Sequence, residues 1–364
     1  MFLLIILAAG LKPRGFRFVN NVNWIADRSG IQFGRFGIAY TNPFEDPTLE
    51  NISGEDGFSL EIAMQPVNYH RWKFRFICAF HGGNDSDQLV MGLWRSQLII
   101  MNGDDYSYRR KTSRITADTH SPSLKTRLVT ITSGRDGTRI FLDGKLESTK
   151  KDLRLKMPPG ENARLIIGNS VYGRHPWRGV VYGLAFYNYP LSSHIAASHF
   201  NSWSKDRNFA FARHAKPSVL YLFNEKGGTR ALDHSGSNHH LEIPSRMKLL
   251  ERRILALPSR IFMSHVGFII DIIINLVGFI PFGFLVCAIL VRSGGTFQRH
   301  GVLITAGLCM SVSLSIEILQ AWIPSRNSNI LDLALNTLGG LSGAIIYRVL
   351  ANLGIWLQDK KAKA

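Results

Sequence analysis

This chain is short of cysteine and of acid. Three cysteines in 364 residues cannot form a disulfide framework. Cys287 and Cys309 fall inside long apolar runs, which leaves Cys78 alone in the polar part of the sequence. That part must hold together by its hydrophobic core, and Cys78 reads as a small buried hydrophobe rather than a nucleophile. Asp and Glu number 26 against 43 Lys and Arg, and the apolar runs contribute little of the excess. The polar part is therefore strongly basic. No nucleic-acid motif accompanies the charge. Beside membrane segments, a basic surface points to anionic lipid or cell-wall polymer instead. No basic residue precedes the N-terminal apolar run, which argues against a signal peptide.

That run, within MFLLIILAAGLKPRGF, has about eleven apolar residues and spans roughly 16 Å at 1.5 Å per residue, half the hydrocarbon thickness. Residues 1–18 are expected to be a short first transmembrane helix and its exit, either truncated by a misassigned start or shielded by neighbouring helices.

From residue 19 to 245 the pattern is strand, turn, strand. GFSLEIAMQP places Phe58, Leu60, Ile62 and Met64 on one face, the period-two signature of a half-buried strand. KFRFICAFHG and QLVMGLWRSQLIIMNG behave alike, with turns at Gly82-Gly83 and Asn102-Gly103. LVTITSGRDGTRIFLDGKLES reads as consecutive hairpins turning at Asp136-Gly137 and Asp143-Gly144. Short strands at this spacing predict a sandwich. In order, FSLEIAMQP, TRIFLDGKL, LIIGN and WRGVVYGLAFYNYPLSSHIAASHF resemble the landmarks of the concanavalin-like, laminin-G-type sandwich. Residues 219–243 resemble that family's opening strand yet follow its closing one. They are expected to add a strand to the same sandwich or to complete it in permuted order.

Sandwiches of this type bind glycans, cleave them or serve as scaffolds. Cleavage needs two carboxylates flanking the scissile bond. Glu61 stands alone in its strand and no E-x-D-x-x-E run occurs, so the sandwich carries no catalytic motif. No cofactor is expected, apart from a calcium ion that Asp85 and Asp87, or Asp104 and Asp105, could ligate; as plain turn residues they need no ion. Trp94, Tyr172, Trp177 and Tyr182 could stack on sugars, though core packing is the better default for any one of them. In SRMKLLERRILALPSRIF, Met247, Leu250, Ile254, Leu257 and Ile261 form a helical stripe opposite Arg246, Lys248, Arg252, Arg253 and Arg260. Residues 246–263 therefore predict a basic amphipathic linker helix at the bilayer interface.

The last hundred residues carry polar side chains where apolar ones would be expected. Helices are predicted over 266–291, 302–323 and 331–356. Asp271 and Asn275 lie on the first, Glu317 and Gln320 on the second, and Asp332 and Asn336 on the third. Spacings of three and four put each pair on one helical face. Carboxylates inside a bilayer carry a penalty of about 2.5 kcal/mol or more and usually face a bundle interior. Pro281 is expected to kink the first helix. Gly339 and Gly343 make a G-x-x-x-G step for close helix approach.

In order, D-x3-N-x2-G-x2-P-x-G, E-x2-Q, P-x-R and D-x3-N-x2-G-x3-G resemble the VanZ-like family, named for a protein linked to teicoplanin resistance. The matching residues are Asp271, Asn275, Gly278, Pro281 and Gly283, then Glu317, Gln320, Pro324 and Arg326, then Asp332, Asn336, Gly339 and Gly343. The resemblance implies a four-helix membrane domain, here residues 264–364 with the short first helix, and no defined reaction. The overall expectation is an all-β concanavalin-like sandwich inserted into an α-helical membrane bundle of about four transmembrane helices. Arg326 could hold a lipid phosphate bidentately while a carboxylate carries a proton or acts as base. The same polar groups could equally bond the helices to one another.

These features suggest a multi-pass protein of the inner membrane with an extracytoplasmic sandwich. Its expected partners are the bilayer, a surface glycan or cell-wall polymer, and a lipid-linked envelope precursor, but no nucleic acid. The alternative is an intramembrane enzyme or transporter acting on lipid-phosphate or polysaccharide precursors. Basic residues flank both sides of the helices, so charge alone does not orient them.

Overall fold

The computed structural model describes residues 18–44, 56–67, 73–119, 125–159, 162–257, 266–324, 326 and 328–363, together with Leu7 and Leu11. Two compact units emerge: Phe18–Glu251, and Met1–Arg17 with Arg252–Ala364.

The first unit is a β-sandwich. Its strands are β1 Val22–Trp24, β2 Ile31–Phe33, β3 Ala39–Thr41, β4 Gly57–Pro66, β5 Arg75–His81, β6 Leu89–Trp94, β7 Gln97–Asn102 and β8 Arg114–Asp118. They continue as β9 Arg127–Gly134, β10 Gly137–Leu142, β11 Lys145–Lys150, β12 Arg164–Ile167, β13 Gly179–Tyr187, β14 Val219–Tyr221, β15 Arg230–Ala231 and β16 Leu241–Glu242. One sheet runs β1-β2-β13-β4-β9-β10-β11, with β14 also paired to β13; the other runs β15-β16-β3-β12-β5-β6-β7-β8. All the ladders between named strands are antiparallel.

Alternation along each strand decides which side chains meet between the sheets. Leu60, Ile62 and Met64 of β4, Val129 and Ile131 of β9, and Leu98 and Ile100 of β7 join one buried core. The hairpin expected at Asp143-Gly144 joins β10 to β11, with both residues left-handed (φ 51° and 74°), as a type I′ turn requires. Residues 219–243 extend both sheets: β14 adds to β13 in the first, and β15 and β16 reach β3 in the second.

The opposite face of β4, β9 and β13 is buried as well. Ala63, Leu128, Tyr182 and Ala185 pack beneath Trp203 of helix α1 (Ser193–Asp206) and beneath Phe209 and Ala212 of the 3₁₀ segment that follows. Ser192 caps α1 by accepting from the Ile195 N–H at 3.3 Å.

The expected linker helix is absent over the described residues 246–257; residues 258–263 of that expectation lie outside them. The stripe is divided between two tasks. Met247 is buried against Ile38, Tyr40 and Ile166 of the sandwich, and the Leu250 N–H donates to Val171 O at 2.9 Å. Ile254 and Leu257 are 53% and 82% exposed. A helix would have to turn all of these toward one side.

In the second unit, α2 (Val266–Arg292), α3 (Gly295–Gln320) and α4 (Ile330–Lys363) are long and apolar enough to cross a membrane. Their outward residues, such as Ile269, Ile273 and Val277 on α2 and Leu303 on α3, are about half exposed or more, a face suited to lipid. α3 starts seven residues before the expected 302, because Gly294 and Gly295 supply positive φ angles of 78° and 59° at its start. The expected first helix lies largely outside the described residues. Leu7 and Leu11 are helical and pack with Phe279, Cys309 and Ile316.

Glycine sets the close approach of α2 to α4. A Cβ at Gly339 would lie 2.1 Å from Leu276 O, one at Gly343 2.0 Å from Ile280 O, and one at Gly283 1.9 Å from Gly340 O. The G-x-x-x-G step is thus a backbone contact. Gly278 faces open space instead. α2 runs through Pro281 without a break, although the missing N–H leaves the Val277 carbonyl without its usual helical donor.

Candidate functional site

The polar residues of the three helices gather around the start of α4. Asn329 caps it: its Oδ1 accepts from the Leu331 N–H at 3.0 Å, and Asp332 occupies the first turn. Asn is a favoured residue at a helix start, and the helix dipole favours negative charge in the first turn. Glu317, 1% exposed, comes from the end of α3. Its Oε2 accepts from the Asn329 N–H at 2.6 Å, and Ser328 is a further hydrogen-bond partner.

Asp332 is more open than Glu317. Asn275 of α2 hydrogen-bonds its carboxylate, and Asp271 of α2 lies within electrostatic reach. Arg326 is close enough to act on both Glu317 and Asp332. Arg252 places its guanidinium 3.3 Å from the ring centroid of Trp322, a cation–π contact. Beside them Ala256 pairs with Asn329, and the Leu255 N–H donates to Ser328 Oγ at 2.9 Å.

Deeper in the bundle, the Asn336 amide N–H donates to Ser313 Oγ at 2.9 Å. Its Oδ1 is buried and has no hydrogen-bond partner among the described residues. Gln320, 8% exposed, lies on the α3 face that carries Glu317 and Ser313. The site residues expected from the sequence therefore fall into two kinds. Glu317 is enclosed by the loop it orders, whereas Asp271, Asn275, Asp332 and Arg326 form the accessible part. Among the glycines and prolines of the motif, Gly283, Gly339 and Gly343 permit helix contact, and Pro324 sits in the α3–α4 connection before Arg326.

Sequence reading missed Ser313, Ser328 and Asn329. Each had a local signal: Ser313 precedes Glu317 by one helical turn, and Ser328-Asn329 stands where a helix cap belongs.

In the sandwich several acids are closed by protein partners. Fully buried Glu61 accepts from Thr130 Oγ1 at 2.9 Å, Tyr187 Oη at 2.8 Å and His199 Nδ1 at 2.8 Å. Asp85 meets His81 Nε2 at 3.0 Å, and Asn84 donates to Asp87 at 2.9 Å. Asp104 pairs with Arg110. Asp105 accepts the N–H groups of Arg109, Arg110 and Thr112 at 2.9, 3.1 and 3.2 Å. The carboxylates considered for calcium thus have protein partners, and no group of three or more His, Cys, Asp or Glu residues arranged to hold a metal occurs among the described residues. Trp177 and Tyr182 are core residues at 0% and 4% exposure, while Trp94 and Tyr172 are half-buried.

His81 also meets Glu251 Oε1 at 3.1 Å, and Tyr172 Oη donates to the other Glu251 oxygen at 3.1 Å. Burial opposes charge on His81, but the Asp85 and Glu251 carboxylates outweigh it and push its pKa up to about 9. Burial pushes the Cys78 thiol up to about 12, which leaves it inert at neutral pH.

Two family models divide the chain. The VanZ/LLP1 model matches residues 218–351 and that of the concanavalin A-like lectin/glucanase superfamily matches residues 43–195. The helical part is VanZ-like. The VanZ/LLP1 match begins at β14 and so takes in the last strands of the sandwich. No curated protein matches. Among solved structures, the Ruminococcus gnavus IT-sialidase CBM40 bound to α2,3-sialyllactose shares 11% identity at a TM-score of 0.35, over 47% of this chain and 95% of that one. The binding domain of botulinum neurotoxin serotype D/C shares 16% identity at a TM-score of 0.41, over 51% of this chain. This chain spans 46% of that neurotoxin domain. Both are distant likenesses of fold alone.

Proposed function

We propose that this is a cell-envelope membrane protein whose VanZ-like bundle binds the head of a lipid-linked envelope precursor and whose extracytoplasmic sandwich binds glycan without cleaving it. The observation that carries the reading is that Asp332, at the start of α4, has both Arg326 and the Asp271 carboxylate within electrostatic reach. A lipid-linked sugar offers both matching chemistries. Its phosphate suits a guanidinium, which binds it bidentately. Its hydroxyls can donate to Asp332, to Asp271 and, deeper, to the Asn336 Oδ1. A buried acceptor without a donor costs about 1–3 kcal/mol, which a ligand hydroxyl would relieve. Glu317 serves as a positioning residue by holding the loop that carries Arg326. The concanavalin-like match and the basic surface support the glycan part, and the absence of paired carboxylates on β4 supports binding over hydrolysis.

The test uses the full-length protein in nanodiscs, with a polyprenyl-phosphate-linked sugar as probe. Arg326→Lys, which keeps the charge but loses the bidentate fork, is expected to weaken binding at least about tenfold, as a loss of roughly 1.4 kcal/mol implies. Equal binding by wild type and Arg326→Lys would remove the phosphate part of the reading.

A further inference from the structure

A basic seam runs along one side of the sandwich where the edges of the two sheets meet. β11 ends the first sheet and β8 the second, and Lys150 Nζ donates to Arg114 O at 3.4 Å across them. The chain leaving β11 continues along the seam, and Lys156 exchanges two hydrogen bonds with Asn102, of 2.8 and 2.7 Å. From the other side comes the loop before β8. Buried Asp105 gathers its backbone N–H groups and accepts Arg114 at 3.5 Å, with Tyr108 and Lys111 held in left-handed conformations at φ 58° and 52°. Folding the backbone inward around one carboxylate leaves Arg109, Arg110 and Lys111 all exposed. Lys151 and Lys156 are exposed beside them.

Edge strands often carry lysine to discourage pairing with other edges. That accounts for Lys145 and Lys150 of β11. It does not account for three consecutive cations displayed by a loop, or for Lys151 and Lys156 beyond the strand. Asp105 is 4% exposed and committed to its loop, while Asp104, paired with Arg110, and the exposed Glu147 and Asp152 offset part of the charge and leave the cations in excess.

We infer that this seam, including Arg110, Lys111 and Lys151, is a binding surface for a linear anionic polysaccharide bearing carboxylate or phosphate groups. These cations come from two separate segments, the loop before β8 and the stretch past the end of β11, and so present several distinct positive groups. Several separate positive groups suit the repeated anions of a charged polymer better than the single phosphate of a lipid headgroup. This deepens the glycan-binding reading of the sandwich and rests on it; the intramembrane reading is independent.

The experiment uses full-length protein in nanodiscs of zwitterionic lipid, with alginate as the anionic probe and dextran as the neutral one. Alginate should bind, dextran should not, and affinity should fall at least about tenfold between 50 and 200 mM salt, as counterion release requires. The triple variant Arg110→Glu, Lys111→Glu, Lys151→Glu should lose at least tenfold in alginate affinity with an unchanged melting temperature. Reversal at Lys205 and Lys226, away from the seam, should leave affinity intact. Alginate binding that survives the triple variant would overturn the surface while leaving glycan binding by the sandwich standing. Failure to bind either polymer at low salt would overturn both. Tighter binding to a short DNA duplex or to anionic vesicles than to alginate would also refute a polysaccharide site. So would a triple variant whose one change is aggregation, which would make the seam an edge guard.

Discussion

Glu61 and Asp105 of the sandwich and Asp332 and Asn336 of the bundle are all acids or amides, but their hydrogen bonding is closed to different degrees. Glu61 has three side-chain donors on its two oxygens, and Asp105 has three backbone ones. In the bundle Glu317 is closed by its loop, yet Asp332 lies within reach of a second carboxylate and the Asn336 Oδ1 lacks a donor among the described residues. In the sandwich, Asn169 Nδ2 and Glu225 Oε2 also lack a partner among the described residues. The same residue types act as structure when every lone pair is used. They become candidates for binding when geometry withholds a partner that folding could have supplied. Composition does not distinguish Glu61 from Asp332; the hydrogen bonding around each carboxylate does.

The largest effect should come from breaking the closed side of this comparison. Glu61→Ala leaves His199, Tyr187 and Thr130 facing a cavity and is expected to destabilise the sandwich by about 3–5 kcal/mol, read by thermal or chemical unfolding of the full chain. A drop of less than 1 kcal/mol would mean that the network is not closed as described. In the bundle, Gly339→Ala drives a methyl into the Leu276 carbonyl and should lower stability by about 1–3 kcal/mol. Gly278→Ala, in open space, should stay within about 0.5 kcal/mol. Similar losses at both positions would show that the motif glycines share a role that the α2–α4 contact does not explain.

A smaller effect sharpens the sandwich side through pH. The folded pKa of His81 is raised from 6.5 to about 9, so the unfolded state releases the proton first as pH rises. Its stabilisation is complete below about pH 6.5 and is lost as pH climbs through 9. The sandwich melting temperature should fall by several degrees over that window. His81→Gln should flatten the dependence. A wild-type profile that is flat or rises there would contradict the His81–Asp85–Glu251 cluster.

Most of the fold was legible in the sequence because its cues are local. Alternation in β4 and β9, Asp143-Gly144 in a tight turn, and the three apolar runs each report on neighbouring residues. The membrane motif was legible because spacings of three and four fix a helical face. What escaped reading depends on distant partners. Glu61 and His199 meet across 138 residues, and nothing near Glu61 announces an imidazole. The stripe from Met247 to Leu257 looked helical because spacing cannot say that Met247 belongs to the sandwich core and Leu257 does not. In the site, the acids were found and their unequal roles were not, since these depend on the loop of Ser328 and Asn329.

The central claim is that the open acids of the bundle bind a ligand rather than fasten helices. The most direct measurement compares wild type with Asp332→Asn in nanodiscs, recording melting temperature with and without the polyprenyl-phosphate-linked sugar. Ligand at 100 times its Kd should stabilise wild type by about 2.7 kcal/mol, raising its melting temperature by several degrees. Asp332→Asn should melt within about a degree of unliganded wild type and lose that shift. A variant that melts well below wild type while keeping the full ligand shift would contradict the account and make Asp332 a helix fastener.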